Sequence, residues 1–335
     1  MSTLLLTRAD TLELMSMTEV LNAVEQAFSD YARNIASMPS KAYLTLPEGD
    51  FRAMPAQIPG AAGLKWVNVH PGNYRRNLPT VMAIIIYSEP ETGYPLSIMD
   101  ATEITAYRTG AASAIASKYL ARKDARTLGL VGAGKQAQTQ LLAHAEYFQF
   151  EEIMVYDSSV EAAAHFKALF PGFPITAASL EKTAGADIVC TLTPVRSPII
   201  RRDWIKPGAH INAVGADAPG KQELDPVILD EACVVVDDIE QSIHAGELNV
   251  PVTAGLYKRD RIYATLGELT YGKKPGRSNN TEITVFDSTG LAVQDMATAK
   301  IVFNRALERG IGFRFDFIEK ISERVSSPIK DPHNQ

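Results

Sequence analysis

The chain has few cysteines. Of its 335 residues only two are cysteine, Cys190 and Cys233, and both lie inside apolar runs typical of buried strands. Small secreted domains that lack a sufficient core depend on several disulfides, and a framework of that kind is excluded here. A chain of this length is long enough for two domains and a large core. A reducing compartment is therefore the expected location.

The chain also lacks an excess of positive charge and any long apolar run. Lys and Arg number 33 against 39 Asp and Glu, a formal net charge of −6 without a basic cluster, which argues against a nucleic-acid surface. No apolar run approaches the roughly 20 residues that span a bilayer. Leu4–Leu6 is followed at once by Thr7 and Arg8, so no signal peptide is evident. The sequence predicts a cytoplasmic protein without nucleic-acid or membrane partners.

What the sequence does contain is a glycine-rich turn between a strand pattern and a helix pattern. In Thr127–Gln138 (TLGLVGAGKQAQ) an apolar run leads into Gly132, Gly134 and Ala137 at G-x-G-x-x-A spacing. Gly132 allows the tight turn, Gly134 lets the backbone approach a pyrophosphate, and Ala137 lets helix and strand pack closely. The free N–H groups at the start of the helix attract phosphate charge. This context predicts a dinucleotide-binding turn, with a purely structural turn as the alternative.

An acid after the next strand pattern indicates which dinucleotide binds. Asp157 ends the pattern of Ile153–Tyr156, 25 residues after Gly132, close to the roughly 20 expected for the carboxylate that binds a ribose 2′-hydroxyl. This carboxylate repels the 2′-phosphate of NADP, and Ser158 and Ser159 supply no cation to bind that phosphate. The sequence therefore predicts NAD as the cofactor. A plain acid at a strand end is the alternative.

Hydrophobic periodicity divides the chain into two kinds of structure. Residues 11–36 have helical spacing, and from 42 to about 100 the period shortens to two between turn signals, which predicts an antiparallel sheet of consecutive hairpins. After a helix over about 101–121, residues 127–290 alternate strand and helix, which predicts a parallel sheet covered on both faces. A last helix, 291–309, leaves this sheet toward the first half. The predicted fold class is α/β, a doubly wound Rossmann sheet plus an α+β domain with antiparallel strands.

Binding NAD does not say what is oxidised, so substrate groups must come from elsewhere. Ligands of open parallel sheets bind outside the carboxyl ends of the strands. Asp217, in the Gly- and Pro-rich loop after Ile211–Val214, occupies such a place and has the chemistry to exchange protons with an amine or water. A loop-capping role for this acid is the alternative. Asp287–Gly290 follows the last strand in the same way, with hydroxyls and N–H groups that can contact cofactor or substrate.

Three cations lie in apolar patterns of the first half. Lys65 is within an apolar strand pattern, Arg52 stands beside apolar residues, and Arg108 lies on a helix of small residues. Cations in such settings are costly unless an anion pairs with them. A substrate carboxylate, held by Arg in a fork and by Lys as a point charge, is one such anion. Solvated rim positions or internal ion pairs are the alternative.

Several longer segments resemble a known family. GLKWVNVHPGN, LPTVMAIII, TGYPLSIMDATEITAYRTGAAS, GAGKQAQ, INAVGADAPGKQELD and FDSTGLAVQD resemble the ornithine cyclodeaminase/mu-crystallin family, in register from about residue 3 to 310. MPSKAYL, FRAMPA and GADAPGKQELD are closest to its archaeal-type alanine dehydrogenase branch. Ornithine cyclodeaminases usually read G-D-C-P-G-K-T-E-L in the last segment, and here Ala216 and Ala218 replace the Gly and Cys around Asp217.

The resemblance implies a role for each matching residue. Arg52, Lys65 and Arg108 hold the substrate carboxylate, Lys65 also takes part in proton transfer, and Asp217 is the general acid/base at the reacting amine. Lys41, in MPSK, matches an active-site lysine of the alanine dehydrogenase branch. The implied cofactor positions are Thr80, Arg108, Thr109, Gly132, Gly134, Lys135, Gln136, Asp157, Thr191, Thr193, Ala213, Val214, Gly215, Ala216, Ser288 and Thr289. No metal is expected, because the polar stretch 237–247 lacks a metal-ligand spacing.

The resemblance also implies an architecture and an activity. Residues 1–118 with 303–335 form a dimerisation and substrate domain, 119–302 form the NAD-binding Rossmann domain, and two subunits form a homodimer. The expected activity is reversible, NAD-dependent oxidative deamination of L-alanine, or a similar small L-amino acid, to the 2-oxo acid and ammonia. Three alternatives stay open: an ornithine cyclodeaminase that yields L-proline and ammonia and recycles NAD, a cyclic ketimine reductase, and a non-catalytic mu-crystallin-like binding protein. The retained Lys65, Arg108 and Asp217 disfavour the last.

Overall fold

The computed structural model describes residues 2–318, which form two sheets. The strands of the first, sheet A, are β1 (Thr3–Leu6), β2 (Ala42–Leu46), β3 (Gly49–Ile58), β4 (Ala61–Val69), β5 (Val81–Ser88), β6 (Pro95–Asp100) and β15 (Phe313–Phe315). Their order is β15-β1-β6-β5-β4-β3-β2. The predicted hairpins are confirmed, since β2 to β6 pair antiparallel in succession. The sequence patterns missed β1, parallel to β6, and β15, antiparallel to β1.

Sheet B is parallel throughout, as the alternation of strand and helix predicted. Its strands are β7 (Thr127–Val131), β8 (Glu152–Tyr156), β9 (Ile175–Ala177), β10 (Ile188–Thr191), β11 (His210–Ala213), β12 (Cys233–Val236), β13 (Ala264–Thr265) and β14 (Thr284–Asp287). Their order is β13-β12-β14-β11-β10-β7-β8-β9. The strand order reverses between β7 and β10, and ligands of doubly wound sheets bind at such a switch point.

The helices cover both faces of sheet B and one face of sheet A. They are α1 (Arg8–Leu14), α2 (Met17–Ala32), α3 (Thr102–Leu120), α4 (Lys135–Ala145), α5 (Val160–Leu169), α6 (Leu180–Ala184), α7 (Pro226–Glu231), α8 (Ile239–Ala245), α9 (Asn249–Thr253), α10 (Leu266–Thr270) and α11 (Ala292–Arg309). As predicted, α11 follows the last strand and packs on α2, β3 and β4. Among residues 2–318, no helix is long and apolar enough to cross a membrane.

The prediction of one helix over 11–36 is wrong. Thr7 begins α1 through a capping box with Asp10, so this helix starts earlier than the apolar spacing suggested. The backbone is extended at Met15 and Ser16, and α2 then begins as a second helix. It ends before Asn34, whose φ of 58° is left-handed and incompatible with a continued helix. The patterns also did not predict α9 and α10.

Helix α3 lies between the two sheets and is buried on almost every side. It packs against α2 and β5 on the side of sheet A, and against α4, β11 and β14 on the side of sheet B. At Gly110 a Cβ would lie 2.5 Å from the carbonyl oxygen of Thr139 on α4, so the two helices meet backbone to backbone. This helix carries Arg108 and Thr109 to the boundary between the two halves.

Candidate active site

A cavity of about 280 Å³ opens between sheet A and the carboxyl ends of the sheet B strands. Strands β3 and β4 and helix α3 form one side, and the loops after β10, β11 and β14 form the other. The predicted site residues that line it are Lys41, Arg52, Lys65, Thr80, Arg108, Thr109, Gln136, Thr193, Val214, Gly215, Asp217, Ser288 and Thr289. Residues that are distant in sequence, and that were singled out for substrate and for cofactor, therefore face one space.

Lys65 is fully buried in the cavity wall and shares an acid with Arg108. The Lys65 Nζ donates to the Asp295 carboxylate at 2.8 Å, and the Arg108 Nε donates to the same carboxylate at 3.0 Å. Burial and the charge of Arg108 lower the pKa of Lys65 to about 7, against the opposing effect of Asp295. A lysine with this pKa exchanges a proton readily near neutral pH.

Asp295 is a site residue that the sequence analysis missed. Its side chain is 0% exposed, and it supplies the anion that a buried lysine requires. The alternative of internal ion pairs is thus realised for Lys65 and Arg108, although both still line the cavity. The sequence contains a signal that could have identified it. Asp295 shares a helix face with Ala292 and Ala299, both buried, so an acid stands where an apolar residue is expected.

A second cluster of charges surrounds Asp217. The Arg52 Nη1 donates to Asp217 at 2.8 Å, while the Nε donates to Asp50 at 2.7 Å. Lys221, another residue that the sequence analysis did not assign to the site, pairs with the second oxygen of Asp217. Burial would raise the pKa of Asp217, but Arg52 and Lys221 outweigh it and hold that pKa well below its usual range. Its side chain remains 28% exposed, so a ligand can reach it.

Lys41 connects the first half of the chain to the loop after β14. Its Nζ donates to the carbonyl oxygen of Thr289. Desolvation lowers the pKa of Lys41 to about 8, with Asp237 opposing the shift. Asp237 accepts the N–H groups of Thr289 and Gly290 from the other side, each at 2.6 Å. The loop that carries Ser288 and Thr289 is therefore fixed between a lysine and a buried carboxylate.

The glycine-rich turn has the predicted form. Gly132 has a φ of 112°, and Gly134 is the residue before α4, with no side-chain cap on that helix start. Asp157, directly after β8, accepts the N–H of Ala133 at 2.8 Å. Ala137 is fully buried at the helix–sheet contact. The N–H groups at the start of α4 are thus left for an anion.

Some predicted cofactor positions do not line the cavity. These are Gly132, Gly134, Lys135, Asp157, Thr191, Ala213 and Ala216. Among them, Lys135 forms an ion pair with the buried Glu103 at 2.8 Å, and Thr191 is buried with its hydroxyl donated to Glu223 at 2.6 Å. Ala213 and Ala216 are fully buried. The side chains of Lys135 and Thr191 are therefore already committed to partners within the chain.

Several polar atoms in the cavity wall have no partner within the described part of the chain. Thr105 Oγ1, Gln136 Oε1 and Ser288 Oγ are buried and without a hydrogen bond. Buried polar groups in native proteins are nearly always paired, so these three atoms indicate a polar ligand. Thr105 was not among the predicted residues.

The polar stretch 237–247 is occupied by structural hydrogen bonds. Asp238 caps α8 by accepting the N–H of Gln241, and Glu247 accepts the N–H groups of Glu223 and Leu224. Over residues 2–318, no group of three or more His, Cys, Asp or Glu is arranged to hold a metal ion.

Comparison with known proteins identifies the family. The model of the ornithine cyclodeaminase/mu-crystallin family matches residues 1–310. The chain belongs to this family. An alanine dehydrogenase of Archaeoglobus fulgidus is 49% identical over 95% of this chain and 99% of its own length. A solved archaeal alanine dehydrogenase dimer with bound NAD has a TM-score of 0.93 at 49% identity, covering 95% of this chain and 100% of that one.

A more distant family member has a different reaction in its name. The Δ1-pyrroline-2-carboxylate reductase of Thermococcus litoralis, solved with NADH and L-proline, has a TM-score of 0.90 at 38% identity. The match covers 93% of this chain and 99% of that one. The fold and family predicted from the sequence motifs are confirmed.

Proposed function

We propose that this member of the family is an NAD-dependent dehydrogenase that converts L-alanine, or a similar small L-amino acid, to the 2-oxo acid and ammonia, reversibly. The near full-length identity of 49% to an alanine dehydrogenase supports this proposal. The observation that carries it is a single cavity that joins Lys65, Arg108 and Asp217, suited to an amino acid, to loops suited to a dinucleotide.

The residues present fit NAD. Apart from Gly134 and its two chain neighbours, no atom of the described residues lies within 4 Å of the place where a Cβ on Gly134 would stand, so a pyrophosphate has room beside the open N-terminus of α4. Asp157 stands at the end of β8, where a ribose hydroxyl is bound in such folds. The unpartnered atoms of Gln136 and Ser288 would gain partners from the bound molecule. Bound there, NAD supplies the hydride acceptor.

We expect the substrate carboxylate to bind among Arg52, Lys65 and Arg108. In the structure the donors of Arg52 are occupied by Asp50 and Asp217. A substrate carboxylate that takes over the Arg52 donor now held by Asp217 weakens that ion pair and raises the pKa of Asp217 toward its ordinary value. Asp217 then acts as the general acid/base at the amine, and Lys65, with a pKa of about 7, is a second proton acceptor.

Most of the charged groups at the cavity are paired. Its lining includes the cations Lys41, Arg52, Lys65, Arg108 and Lys221. Within residues 2–318, the one acid among the lining residues is Asp217, which Arg52 and Lys221 bind. Behind the lining, Asp50 pairs with Arg52, and Asp295 pairs with Lys65 and Arg108. The preference for the dehydrogenase over the ornithine cyclodeaminase therefore rests on the 49% identity to an alanine dehydrogenase.

The proposal includes a homodimer formed through the outer face of sheet A. Trp66, Ile84, Ile86 and Phe313 are between 37% and 64% exposed. Strand register places Trp66 beside Ile84, and Phe313 beside Leu5, on one face of the sheet. A contiguous apolar face of this kind is typical of a protein interface, and the archaeal relative is a dimer. We propose a second copy of this chain as the occupant.

Two further parts of the sequence-based interpretation stay predictions. The domain boundaries are expected at 1–118 with 303–335, and at 119–302, although 319–335 lie outside the described residues. The cytoplasmic location likewise rests on the sequence.

The decisive experiment follows NADH absorbance with L-alanine and NAD⁺, then with L-ornithine and NAD⁺, then with Δ1-pyrroline-2-carboxylate and NADH. Net NADH from L-alanine, with pyruvate and ammonia, is expected. Proline and ammonia from L-ornithine without net NADH would overturn the proposal in favour of a cyclodeaminase. NADH consumption by the cyclic imine alone would identify a ketimine reductase. If none of the three substrates is turned over, the non-catalytic binding protein is the interpretation that remains.

A further inference from the structure

Behind the cavity wall, one buried carboxylate joins two loops that line the cavity. Glu223 is 0% exposed and does not itself face the cavity. Its Oε1 accepts the N–H and the hydroxyl of Thr193 at 2.7 and 2.6 Å. Its Oε2 accepts the hydroxyl of Thr191 at 2.6 Å and the N–H of Gly215 at 2.9 Å. Glu223 thus ties the loop after β10 to the loop after β11.

The backbone that carries Glu223 is held by further buried carboxylates. Glu247 accepts the N–H groups of Glu223 and Leu224 at 3.0 and 2.7 Å. Asp287, at the end of β14, accepts the N–H groups of Glu247 and Leu248 at 2.9 and 3.1 Å. For the part of the chain that the structure covers, none of these three acids has a salt-bridge partner. Satisfied networks of buried polar groups are rigid, so Glu223 has a fixed anchor.

The loop that carries Asp217 is packed directly on this carboxylate. A Cβ at Gly215 would lie 2.5 Å from Glu223 Oε2 and 2.2 Å from the carbonyl oxygen of Thr193. Gly215 stands two residues before Asp217, so a displacement at Gly215 is transmitted to the acid over a short piece of chain. The loop that carries Thr193 and the loop that carries Asp217 therefore both contact the carboxylate of Glu223.

We propose that Glu223 is a positioning residue, whose carboxylate sets where Thr193 and Asp217 stand relative to the cofactor and the reacting amine. This inference rests on the proposed function, because it assigns Glu223 to the same reaction. The charge state matters, because a carboxylate offers two acceptor oxygens to four donors. Gln offers one oxygen and an NH₂; a threonine hydroxyl can accept from this NH₂, but the backbone N–H of Thr193 or of Gly215 cannot. Glu223→Gln therefore keeps the size of the side chain and loses the hydrogen bond to one of these two N–H groups.

The test measures kcat and KM for L-alanine with NAD⁺, and the isotope effect of L-alanine deuterated at Cα. In Glu223→Gln we expect kcat to fall about 10- to 100-fold, the scale of a small misplacement of reacting groups. The isotope effect on kcat should rise, because the hydride step becomes slower than product release. KM for L-alanine should change less than about threefold, since Arg52, Lys65 and Arg108 keep their partners.

Two further variants separate positioning from loss of stability. Asp187→Asn removes a buried carboxylate that accepts the N–H groups of Arg126 and Thr127 at the opposite ends of the strands, and kcat should stay within about twofold of wild type. Thr191→Val keeps Glu223 but removes one of its donors, and kcat should fall at least about threefold.

Three results would overturn the inference. These are a near-wild-type kcat in folded Glu223→Gln, an equal loss in Asp187→Asn, and, if Glu223→Gln does not fold, a near-wild-type kcat in Thr191→Val. Failure of the proposed function is distinguishable, since the wild-type protein would then form no NADH from any small L-amino acid.

Discussion

Replacing Asp295 by Asn tests the assignment of Lys65 as a proton acceptor. The amide keeps the shape of the side chain but removes the negative charge that lies 2.8 Å from the Lys65 Nζ. Two unit charges about 4 Å apart interact by about 4 kcal/mol at an effective dielectric constant of about 20. Because one pKa unit is about 1.4 kcal/mol, this energy corresponds to a shift of about three units. We expect the pKa of Lys65, about 7 in the wild type, to fall by about one to three units in Asp295→Asn.

The assay is kcat/KM for L-alanine with NAD⁺ from about pH 5 to pH 10, which reports the ionisations of the free enzyme. In the wild type the rate should rise as pH increases through about 7, because the neutral amine of Lys65 accepts the proton. In Asp295→Asn this acidic limb should move to lower pH. The free energy of unfolding should also fall by about 3–5 kcal/mol, because Arg108 and Lys65 lose a buried partner.

Lys65→Arg is the matched control, since a guanidinium does not titrate in this range. The limb near pH 7 should then disappear altogether. A limb that stays near pH 7 in Asp295→Asn, or one that persists in Lys65→Arg, would assign the ionisation to another group and refute the reasoning.

The remaining predictions concern the acid, the cofactor and the interface. Asp217→Asn should lower kcat about 100-fold or more while NAD binding, followed by protein fluorescence, stays nearly intact; near-wild-type turnover would remove Asp217 from the mechanism. Asp157→Ala should narrow the preference for NAD over NADP in kcat/KM, and an unchanged preference means that another group decides it. Ile84→Glu places a charge on the outer face of sheet A and should give a monomer by size-exclusion chromatography with light scattering; a dimer mass would show that this face is not the interface.

The sequence predicted those features that depend on neighbouring residues. The turn at Gly132 and the acid at Asp157 are separated by one helix and one strand. Their spacing in the sequence therefore predicts their arrangement in space. The strands β1 and β15 were missed because three or four residues are too few to show a period, and their pairing is formed across the whole chain. The break at Ser16 was missed because apolar spacing continues through it.

The site shows a similar limit. Sequence marked Lys65 and Arg108 as cations that require an anion, but Asp295 is 230 residues away from Lys65 and no local pattern joins them. A resemblance transfers positions and not side-chain directions. The side chains of Lys135 and Thr191, two positions expected at the cofactor, bind Glu103 and Glu223. Their contact with the cofactor stays a prediction.

The bare crossing of α3 and α4 at Gly110 has a consequence for how ligands are measured. The turn before α4 and Arg108 on α3 belong to two helices in backbone contact, so the distance between the expected pyrophosphate site and the expected amino-acid site is fixed. The dinucleotide and the amino acid must fit this distance when they bind, because the two helices cannot move closer at their crossing. Substitutions around the cavity can change the size of the amino-acid side chain that fits. The distance between the amino acid and the pyrophosphate is set by α3 and α4 and does not change with them.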